Sequence, residues 1–516
     1  MCKTNALRLR SPQLKPLAAV FASLFVIGES VLAAQPSAPA MQPFSGASMA
    51  HSLRGAFAAK NSGRPAVSSV RPAAPSFVAS SAVTSCGDDP GDFTTLRHAV
   101  LTANSKDTIE LAGLPCSKIT LTNGAIAVTV DELTIHGSGA AALTIDGNGS
   151  DRVFKHTGAG TLALADVTVA NGVVSADKAY GGCIYSKGNL AMNAATLTAC
   201  KALGQTTAVG GGAVAFGTIT LDSSVVSNNL ADAAVGGGKG ATSAIGGGLV
   251  ALSQTADTVL TNSLVSGNTV QSPSGLAEGG GLVAAQLNSK YSTFTGNQAI
   301  GAGTVDNYSG AGAFLTMYSL FMFNSTVDHN QADIAGAMFL ANNGFATIIQ
   351  STISTNKGNL GVGGIASYAN LSIGNSTVAF NTGGPFGGGG VVLAGASPAT
   401  LQSTILADNV PTDFDGGTKI DGSNNLVKVV GPNAAMLPPL TKMLDPGFGP
   451  LMYNGGATRT HAIGAGSPAI DNGSNVANLT LDQRAGNFAR KVGAAVDIGA
   501  FEFDPDRIFA GRFDEL

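Results

Sequence analysis

The sequence contains no tryptophan and few charged residues. Of its 516 residues only 12% are Asp, Glu, Lys or Arg, whereas 44% are apolar and 69 are glycine. The small number of basic residues argues against binding to nucleic-acid phosphates, which requires clustered Lys and Arg. The 23 Phe residues, together with many Val, Leu and Ile residues, still supply a large core. The chain is therefore not disordered as a whole.

Long apolar runs are also missing, apart from a short one near the N-terminus. The run from Leu17 to Ile27 follows four basic residues and precedes Ala33 and Ala34, a pattern typical of a cleavable export signal. A membrane anchor is the weaker alternative, because the run falls short of the roughly 20 residues that a spanning helix needs. We predict a signal peptide over residues 1–33, export to the medium or the bacterial surface, and no transmembrane span in the mature chain. Removing this peptide changes the formal net charge from −4 to about −7.

Cysteine is rare, but the cysteines beyond the signal peptide form an even number. They are Cys86, Cys116, Cys183 and Cys200. Export permits disulfides, and local spacing favours Cys86 with Cys116 and Cys183 with Cys200 among three possible pairings. Free thiols in an apolar interior are the alternative. No Cys-x-x-Cys pair or His/Cys cluster indicates a zinc site.

The N-terminal quarter divides into a linker and a cap. Residues 34–84 are rich in Ala, Pro and Ser, and we predict a disordered linker there, because such a stretch cannot bury enough apolar surface to offset its ordering entropy. Leu96, Ala99 and Val100 then lie at helical spacing behind the candidate caps Thr94 and Thr95. We predict that residues 85–130 form a short capping helix and the first strands of a repeat stack.

A short phrase, such as "NSTVAFN" at residues 375–381, recurs along the middle of the chain and ends in a polar residue. These terminal residues are Asn228, Asn268, Asn297, Asn330, Asn356 and Asn381, with Asp408 and Cys200 as weaker members. The intervals between the six asparagines are 40, 29, 33, 26 and 25 residues. Variable intervals around a fixed phrase indicate that one loop per repeat changes length while the core geometry stays constant.

Each phrase alternates as a short strand does. Ser376, Val378 and Phe380 fall on one face, and Thr377 and Asn381 on the other. A glycine cluster followed by apolar residues precedes the phrases, starting at Gly210, Gly246, Gly279, Gly310, Gly363 and Gly387. Because no helical pattern intervenes, the repeats predict an all-β fold, a parallel β-helix (solenoid) of roughly eleven coils over residues 131–430.

This architecture explains the recurrent asparagine. Equivalent residues of successive coils lie roughly 4.8 Å apart, so that one Asn amide can donate to the Asn oxygen of the next coil. Asparagine also tolerates the left-handed backbone of a tight corner. We therefore predict that the six asparagines form a structural ladder and that the apolar and aromatic positions fill the interior.

From Cys86 onward the chain resembles exported bacterial proteins with a right-handed parallel β-helix of the polymorphic outer membrane protein type. The stretch "CGDDPGDFTTLRHAVLTAN", followed by "DTIEL", is similar to the capping segment of the CSLREA type. Residues 431–503 resemble the segment named choice-of-anchor Q, through Asp445–Gly473, Asp482–Arg484 and Val496–Glu502. The resemblance implies a role in surface or envelope sorting. The Pro and Gly residues of the segment predict short extended pieces in a compact irregular C-terminal cap. We predict a short tail at residues 504–516.

Few residues suggest chemistry. Asp413, Asp415 and Asp421 could indicate calcium, but Gly417 and Thr418 stand where a further ligand and the obligatory glycine of a calcium loop belong, so a structural turn is favoured. We predict no metal and no cofactor.

The histidines give a similarly weak signal. His329 lies beside Asp328 in one repeat, and an acid–base role would need a second titratable group within hydrogen-bond reach. His461 belongs to the C-terminal segment. We interpret both histidines as structural or exposed, and we predict no catalytic residue.

Three functions remain open. A non-catalytic adhesion or glycan-binding scaffold at a cell-envelope or host surface is favoured, because loops that vary from coil to coil suit recognition. A polysaccharide lyase or glycoside hydrolase is the first alternative, although Lys239, Lys290 and Lys357 are the only basic residues between residues 202 and 407. A purely structural envelope protein is the second. The sequence does not identify the binding residues.

Overall fold

The computed structural model describes residues 83–233, 242–255, 257–302, 309–341, 344–395 and 397–506. The predicted signal peptide, the predicted linker up to residue 82 and the tail from residue 507 lie outside the described residues. Within the described ranges, no helix is both long and apolar enough to cross a bilayer.

A single short helix, α1 (Leu96–Thr102), lies near the start of the described chain. Its N-cap is Thr95, whose side-chain oxygen accepts a hydrogen bond from the backbone N–H of His98. This bond satisfies one of the amide groups that the first helical turn leaves unpaired. Leu96 and Val100 are buried in the main core, so α1 is the predicted N-terminal cap.

A buried ion pair ties α1 to the first strands. Arg97 Nε lies 2.8 Å from Asp88 Oδ1. The same guanidinium donates to the carbonyl of Gly124 at 2.6 Å, and Asp88 Oδ2 accepts from the backbone N–H of Asn123 at 2.8 Å. Because both charges are buried, these additional hydrogen bonds are what stabilise the pair.

The two favoured disulfide pairings are confirmed. Cys86 is bonded to Cys116, and Cys183 is bonded to Cys200. Cys183 and Cys200 are fully buried. Both bonds restrict the unfolded chain more than the folded one and thereby favour folding.

Three parallel sheets build the chain from residue 107 to residue 427. Sheet A contains Asp107–Glu110, Ile126–Val128, Leu133–His136, Phe154–His156, Thr161–Ala165, Ile184–Ser186, Asn189–Asn193, Ala213–Ala215, Ile219–Asp222, Leu249–Ala251, Asp257–Thr261, Leu282–Lys290, Phe314–Phe323, Met338–Leu340, Phe345–Ile349, Ile365–Ser367, Asn370–Gly374, Val391–Leu393, Ala399–Gln402, Phe414–Gly416 and Ile420–Ser423. Sheet B contains Lys118–Thr120, Thr144–Asp146, Thr168–Ala170, Thr196–Thr198, Val225–Ser227, Leu264–Ser266, Thr293–Thr295, Thr326–Asp328, Thr352–Ser354, Thr377–Ala379, Ile405–Ala407 and Leu426–Val427. Sheet C contains Val173–Tyr180, Lys201–Val209, Leu230–Asp232, Ser243–Ile245, Thr269–Gln271, Leu276–Glu278, Gln298–Ile300, Gln331–Ala332 and Lys357–Gly358.

The chain forms a parallel β-solenoid, as predicted. Each strand of sheet B pairs in parallel with the equivalent strand of the next coil, as Val225–Ser227 does with Leu264–Ser266. Most coils contribute two successive strands to sheet A. The strands Leu282–Lys290 and Phe314–Phe323 are continuous instead, and each spans both positions.

The core is a set of apolar columns inside the coils. On sheet B, Val226, Val265, Phe294, Val327 and Ile353 lie in register and are fully buried. Each such side chain contributes roughly 1.5–3 kcal/mol by leaving water. The repeat of one apolar residue at the centre of every phrase therefore accounts for much of the stability of the stack.

The corners of the coil differ from the prediction. Each sheet B strand of the central coils lies between two residues with left-handed backbone. The residues before the strands are Ser223, Asn262, Tyr291, Asn324, Gln350, Asn375 and Ser403. The residues after them are Asn228, Gly267, Gly296, His329, Thr355, Phe380 and Asp408. The second set directly precedes the ladder residues, so it was wrong to assign left-handed backbone to the ladder asparagines. The same corner turns Phe380 outward, with 38% of its surface exposed, instead of into the core as predicted.

A buried ladder of asparagines crosses the coils beside sheet B. Asn268 shows the pattern: its Nδ2 donates to Asn297 Oδ1 at 2.9 Å, and its Oδ1 accepts from the side-chain and backbone N–H groups of Asn229. The members are Asn229, Asn268, Asn297, Asn330, Asn356, Asn381 and Asn409.

Two predicted positions need correction, because Asn229 replaces the exposed Asn228 and Asn409 replaces Asp408. At one end, the backbone N–H of Cys200 donates to Asn229 Oδ1. At the other end, the Asp413 carboxylate accepts from the backbone and side chain of Asn409, both at 2.8 Å.

A second buried ladder, made of serines, runs at the opposite corner of sheet B. Its members are Ser224, Ser263, Ser292, Ser325, Ser351 and Ser376. In each step a backbone N–H donates to the serine oxygen of the next coil, as Ser263 does to Ser292 at 3.1 Å. The two ladders satisfy backbone groups that the corners would otherwise leave unpaired.

Sheet C forms a lobe with its own small core. Strands Thr269–Gln271 and Leu276–Glu278 belong to the same coil, and Val270 and Ala277 are buried together in this second cluster. The other members are Ala208, Ala231, Ala233, Ala244, Ala299 and Ala332. Sixteen residues separate the ladder residue Asn229 from the glycine turn at Gly246. Only six residues separate Asn356 from Gly363. The variable part of the repeat therefore lies in this lobe.

Glu278 is a buried carboxyl group in the lobe. It is 1% exposed, and neither carboxyl oxygen has a hydrogen-bond partner among the described residues. Its neighbour in register is the aliphatic Ile245, and a Cβ at Gly310 would lie 3.4 Å from its Cγ. Burial raises the pKa of Glu278 to about 7, because the ionised form loses its hydration.

The segment after the last coil closes the end of the solenoid and then covers its side. Val430, Ala434, Ala435 and Leu437 pack against the end of the main core. Residues 445–503, which we call the cover, lie along the outer face of sheet B. The cover is irregular, as predicted, apart from an antiparallel pair of strands, Phe448–Met452 and Thr460–Ile463.

Burial along sheet B locates the cover. The outward residues Thr196 and Thr198 are partly exposed, whereas the equivalent Thr352 and Ser354 are fully buried. A small apolar core joins the surfaces, with Ile405, Ala407 and Leu426 from the solenoid and Ile463, Ala469, Ile498 and Phe501 from the cover. The predicted C-terminal cap therefore covers one face of the later coils as well as their end.

Replacing a central ladder residue tests the role of the ladder. Asn330→Ala removes donors to Asn356 Oδ1 and the Phe294 carbonyl, and it leaves the N–H groups of Asn297 unpaired. We expect the free energy of unfolding in urea to fall by about 3 kcal/mol, because several buried polar groups lose their partners. Asn193→Ala, at an exposed position in sheet A, is the control and should stay within about 0.5 kcal/mol of wild type. Equal effects of the two substitutions would contradict the ladder's role.

Glu278 predicts a dependence of stability on pH. Its pKa of about 7 in the fold exceeds the ordinary 4.5, so its destabilising effect is absent below pH 4.5, grows between pH 4.5 and 7, and is complete above. Glu278→Gln should therefore be more stable than wild type at pH 8 by up to about 3 kcal/mol, a gain that vanishes near pH 4.5. Urea unfolding at several pH values measures this difference. The exposed Glu132→Gln should follow the wild-type curve, and a gain at Glu278 that does not change with pH would disprove the explanation.

Candidate ligand-binding face

Asp328 holds the cover onto the solenoid. Its carboxylate is fully buried, and Oδ1 accepts a hydrogen bond from Arg459 Nη2 at 2.7 Å. The same guanidinium group donates to Thr295 Oγ1 at 3.1 Å. His329 lies at the solvent side of this pair, with 56% of its side chain exposed and its Nδ1 3.4 Å from Asp328 Oδ1. The carboxylate considered for acid–base chemistry is therefore engaged in a structural ion pair.

His461 is a packing residue of the cover. Its Nδ1 lies 2.8 Å from the carbonyl oxygen of Gly449, and its Nε2 lies 2.8 Å from Ser354 Oγ. Since a carbonyl oxygen only accepts, Nδ1 carries the proton and Nε2 accepts from the serine hydroxyl. Burial lowers the pKa of His461, so the ring stays neutral. The hydrogen bond with Ser354 joins the cover to sheet B.

The three aspartates considered for calcium have separate partners. Asp413 ends the asparagine ladder, and its second oxygen accepts from the backbone N–H of Val429 at 2.7 Å. Asp415 accepts from the backbone N–H of Asn433, and Asp421 pairs with Lys419 at 2.8 Å. Among the described residues, no group of three or more His, Cys, Asp or Glu side chains could hold a metal ion.

The residues that carry the resemblance to choice-of-anchor Q hold the cover together. The Asp482 carboxylate accepts from Arg484 Nη2 at 2.6 Å and from the backbone N–H of Glu502 at 2.9 Å. The Arg484 guanidinium lies 4.0 Å from the ring centroid of Phe488 and 3.8 Å from that of Phe501. Such cation–π contacts are strongest when desolvated. The surface-sorting role that the resemblance implies stays a prediction.

Gln483, between Asp482 and Arg484, contacts the solenoid directly. Its Nε2 donates to Thr326 Oγ1 at 3.1 Å, and its Oε1 accepts from Thr352 Oγ1 at 2.6 Å. Asn324 Nδ2 donates to the backbone carbonyl oxygen of Gln483 at 3.0 Å. Three polar side chains of the solenoid thus satisfy backbone and side-chain groups of the cover.

A group of aromatic side chains, which we call the aromatic band, lies on the outer face of sheet A and at the adjacent corner, beside the edge of the cover. Its members are Tyr291, Phe321, Phe323 and Phe345. Leu320 and Met322 point into the core, so alternation turns Phe321 and Phe323 outward. Phe345 is 41% exposed and the other three rings are half-buried.

Ring contacts fix the band. Tyr291 meets Phe323 edge to face, with centroids 6.0 Å apart. Lys290 Nζ lies 6.0 Å from the centroid of Phe321. Both arrangements are the favourable ones for aromatic quadrupoles. These contacts orient Tyr291, Phe323 and Phe321.

Polar side chains alternate with the rings in register. Asn288 lies beside Phe321 on the neighbouring strand, and Thr347 lies on its other side. Phe345 is in register with Ser319 and with Asn370. Gln286 extends the same row and accepts from the Ser319 hydroxyl at 3.4 Å. Amide and hydroxyl groups are thus available on both sides of the exposed rings.

The cover forms one border of the band. Leu479 and Ala477 pack with Ile349 against Phe321 and Phe323. These contacts leave the opposite border open to solvent. The band consequently offers a partly exposed apolar surface flanked by neutral polar groups and one ammonium group, that of Lys290.

The sequence contains a pattern that predicts this band, although it lies outside the recurrent phrase. In "YSLFMF", residues 318–323, Leu320 and Met322 alternate with Phe321 and Phe323. Both faces of this strand are therefore apolar. In a half-buried strand, this pattern indicates aromatic residues on the solvent side. The position of Phe345 beside this pair could only be seen once the strand register was known.

Comparisons with known proteins identify no family for this chain. No protein-family model matches the chain, and no curated protein matches it. A solved structure, the crystal structure of pectate lyase Pel9A, is similar at 13% identity with a TM-score of 0.36, over 81% of this chain and 94% of that chain. Similarity at this level gives no indication of activity, and the parallel β-solenoid follows from the strand pairing itself.

Replacing the cation of the buried ion pair tests how the cover is held. Arg459→Met leaves the Asp328 carboxylate buried without its charge partner, so we expect the free energy of unfolding to fall by about 3 kcal/mol and proteolysis of the cover to accelerate. Adding Asp328→Asn should recover part of this loss. Lys419→Met, which breaks an exposed pair with Asp421, is the control and should change stability by less than about 1 kcal/mol. A similar small loss in the Arg459 variant would contradict the proposed role.

Proposed function

We propose that this chain is an exported, non-catalytic β-solenoid that binds glycan at the aromatic band. One observation supports this most directly: the partly exposed rings of Phe321, Phe323 and Phe345 share one face of sheet A with amide and hydroxyl side chains, and Tyr291 lies at the adjacent corner. A sugar ring has an apolar face of C–H groups and an edge of hydroxyl groups. Exposed aromatic rings beside neutral hydrogen-bonding groups complement both parts.

The dimensions of the band suit part of a polymer. Phe345 is in register with Ser319, so it lies one strand across and four residues along from Phe323. At roughly 4.8 Å per strand and 3.4 Å per residue, these two rings are roughly 14 Å apart, a distance comparable with about three consecutive sugar units. A rigid sheet keeps this spacing without a loss of side-chain entropy on binding.

Charge supports a binding role more than a catalytic one. Lys290 is the one charged side chain in contact with a ring of the band among the described residues, and Asp257 lies at the far end of the polar row, in register with Gln286. General acid–base catalysis requires at least one positioned group of suitable pKa near the reacting bond, and usually two. The band offers surface for recognition without such a pair.

The export part of the proposal rests on two features. The two disulfides are typical of proteins that fold in an oxidising compartment. The basic and apolar pattern of residues 1–33 adds a sequence signal for export. Together they favour a surface where polysaccharides are accessible.

Removing exposed rings tests the binding face. In affinity electrophoresis with neutral and acidic polysaccharides, the full chain should be retarded by at least one of them. Phe321→Ala and Phe345→Ala should each weaken this retardation about tenfold, since a stacked ring contributes roughly 1.4 kcal/mol. Phe386→Ala removes a ring that is 67% exposed elsewhere and serves as the control. Equal retardation of all the variants would place any glycan site outside the band.

A further inference from the structure

A cleft lies where the last coils meet the cover. Its volume is about 660 Å³, within the usual range for small-ligand sites. The lining residues that could contact a ligand include Phe380, Asp408, Val410, Lys428, Val429 and Asp445. Solenoid and cover both contribute walls, and the aromatic band is on a different sheet.

An ammonium group bridges two carboxylates in this cleft. Lys428 Nζ lies 2.6 Å from Asp408 Oδ1 and 2.6 Å from Asp445 Oδ2. These contacts raise the pKa of Lys428 and lower that of Asp445. Lys428 and Asp445 are therefore both charged at neutral pH. Lys428 has a third N–H donor, and each carboxylate has lone pairs beyond those that Lys428 uses.

One wall of the cleft is apolar and well supported. The Phe380 ring is 38% exposed, and behind it lie Phe448, with centroids 5.8 Å apart, and His461, at 4.9 Å. Val410 and Val429 are 59% and 42% exposed. Phe380 occupies the left-handed corner that recurs in the central coils, and this corner turns its ring outward into the cleft.

We propose that this cleft is a second binding site, for a neutral mono- or disaccharide. The exposed face of Phe380 suits the C–H face of a sugar ring, while Lys428 donates to hydroxyl oxygens and Asp408 and Asp445 accept from hydroxyl groups. The carboxylates repel an anionic sugar such as a uronate, and the ammonium group repels a cationic ligand. A neutral polyol is therefore the ligand class that is compatible with the ammonium group and with both carboxylates.

The position of the cleft gives binding a structural consequence. Phe380, Asp408 and Lys428 belong to the solenoid, whereas Asp445 and Phe448 belong to the cover. A ligand that contacts both parts binds the folded state alone. It therefore raises the midpoint of thermal unfolding by mass action.

A titration of the full chain tests the site. The probes are glucose, galactose, N-acetylglucosamine and cellobiose, with galacturonate as the anionic counterpart, followed by calorimetry and by thermal unfolding. We expect at least one neutral sugar to bind with a Kd of roughly 1 mM or tighter and to raise the midpoint, with galacturonate at least tenfold weaker. Failure of all four neutral sugars to bind, or tighter binding of galacturonate, would overturn the proposal.

Two substitutions locate the binding. Lys428→Met should weaken it at least tenfold. Val429→Trp should abolish it by filling the cleft, because the Val429 side chain is largely solvent-facing and only its backbone contacts Asp413. Val492→Trp, at a similarly exposed valine of the cover, is the matched control and should bind as wild type does. Binding that survives both cleft substitutions would also overturn the proposal.

Sugar binding in the cleft should not depend on the aromatic band. Phe321→Ala should leave sugar binding in the cleft unchanged while it weakens retardation by polysaccharide. Loss of polysaccharide binding with intact titration would contradict the proposed function alone. Intact polysaccharide binding without titration would contradict the cleft alone.

Discussion

The fold depends on hydrogen bonds that run from one coil to the next at fixed corners. Asn268 and Asn297 show the requirement: the side-chain amide of one coil donates to the side-chain oxygen of the next, and that same oxygen also accepts from the backbone. Only a residue with both a donor and an acceptor at this reach can continue the series. Because every member is buried, one wrong side chain leaves several groups unpaired. The recurrent phrase of the sequence is the consequence of this constraint.

A core fixed in this way leaves the exterior free to vary. The segment between ladder residue and glycine turn lengthens from six residues after Asn356 to 16 after Asn229, while the strands of sheet B stay in register. Elsewhere the cover occupies the outer face of the later coils, held by Arg459 and Gln483. The aromatic band and the cleft both adjoin the cover. The segment that resembles an anchoring module therefore also helps to form both proposed binding sites, and a truncation of it would not test anchoring alone.

The sequence predicted most of the repeat and little of the site. Period-two alternation and spaced glycines were enough for the solenoid and α1, because they depend on local geometry. The ladder was displaced by one residue at "SNN", where two adjacent asparagines compete and only the corner decides that Asn229 is buried while Asn228 is exposed. The path of the cover could not be predicted, since its contacts join residues more than 100 positions apart, such as Ser354 and His461. The aromatic band and the cleft depend on strand register and on that path.

The central claim is that this solenoid binds polysaccharide without cleaving it. The most direct measurement incubates the folded full chain with a panel of neutral and acidic polysaccharides and records, in the same samples, bound protein, reducing ends and unsaturated products. The account predicts saturable binding to at least one polysaccharide with no release of either product. Release of reducing or unsaturated ends would show an enzyme, and absence of binding across the panel would contradict a glycan-binding role.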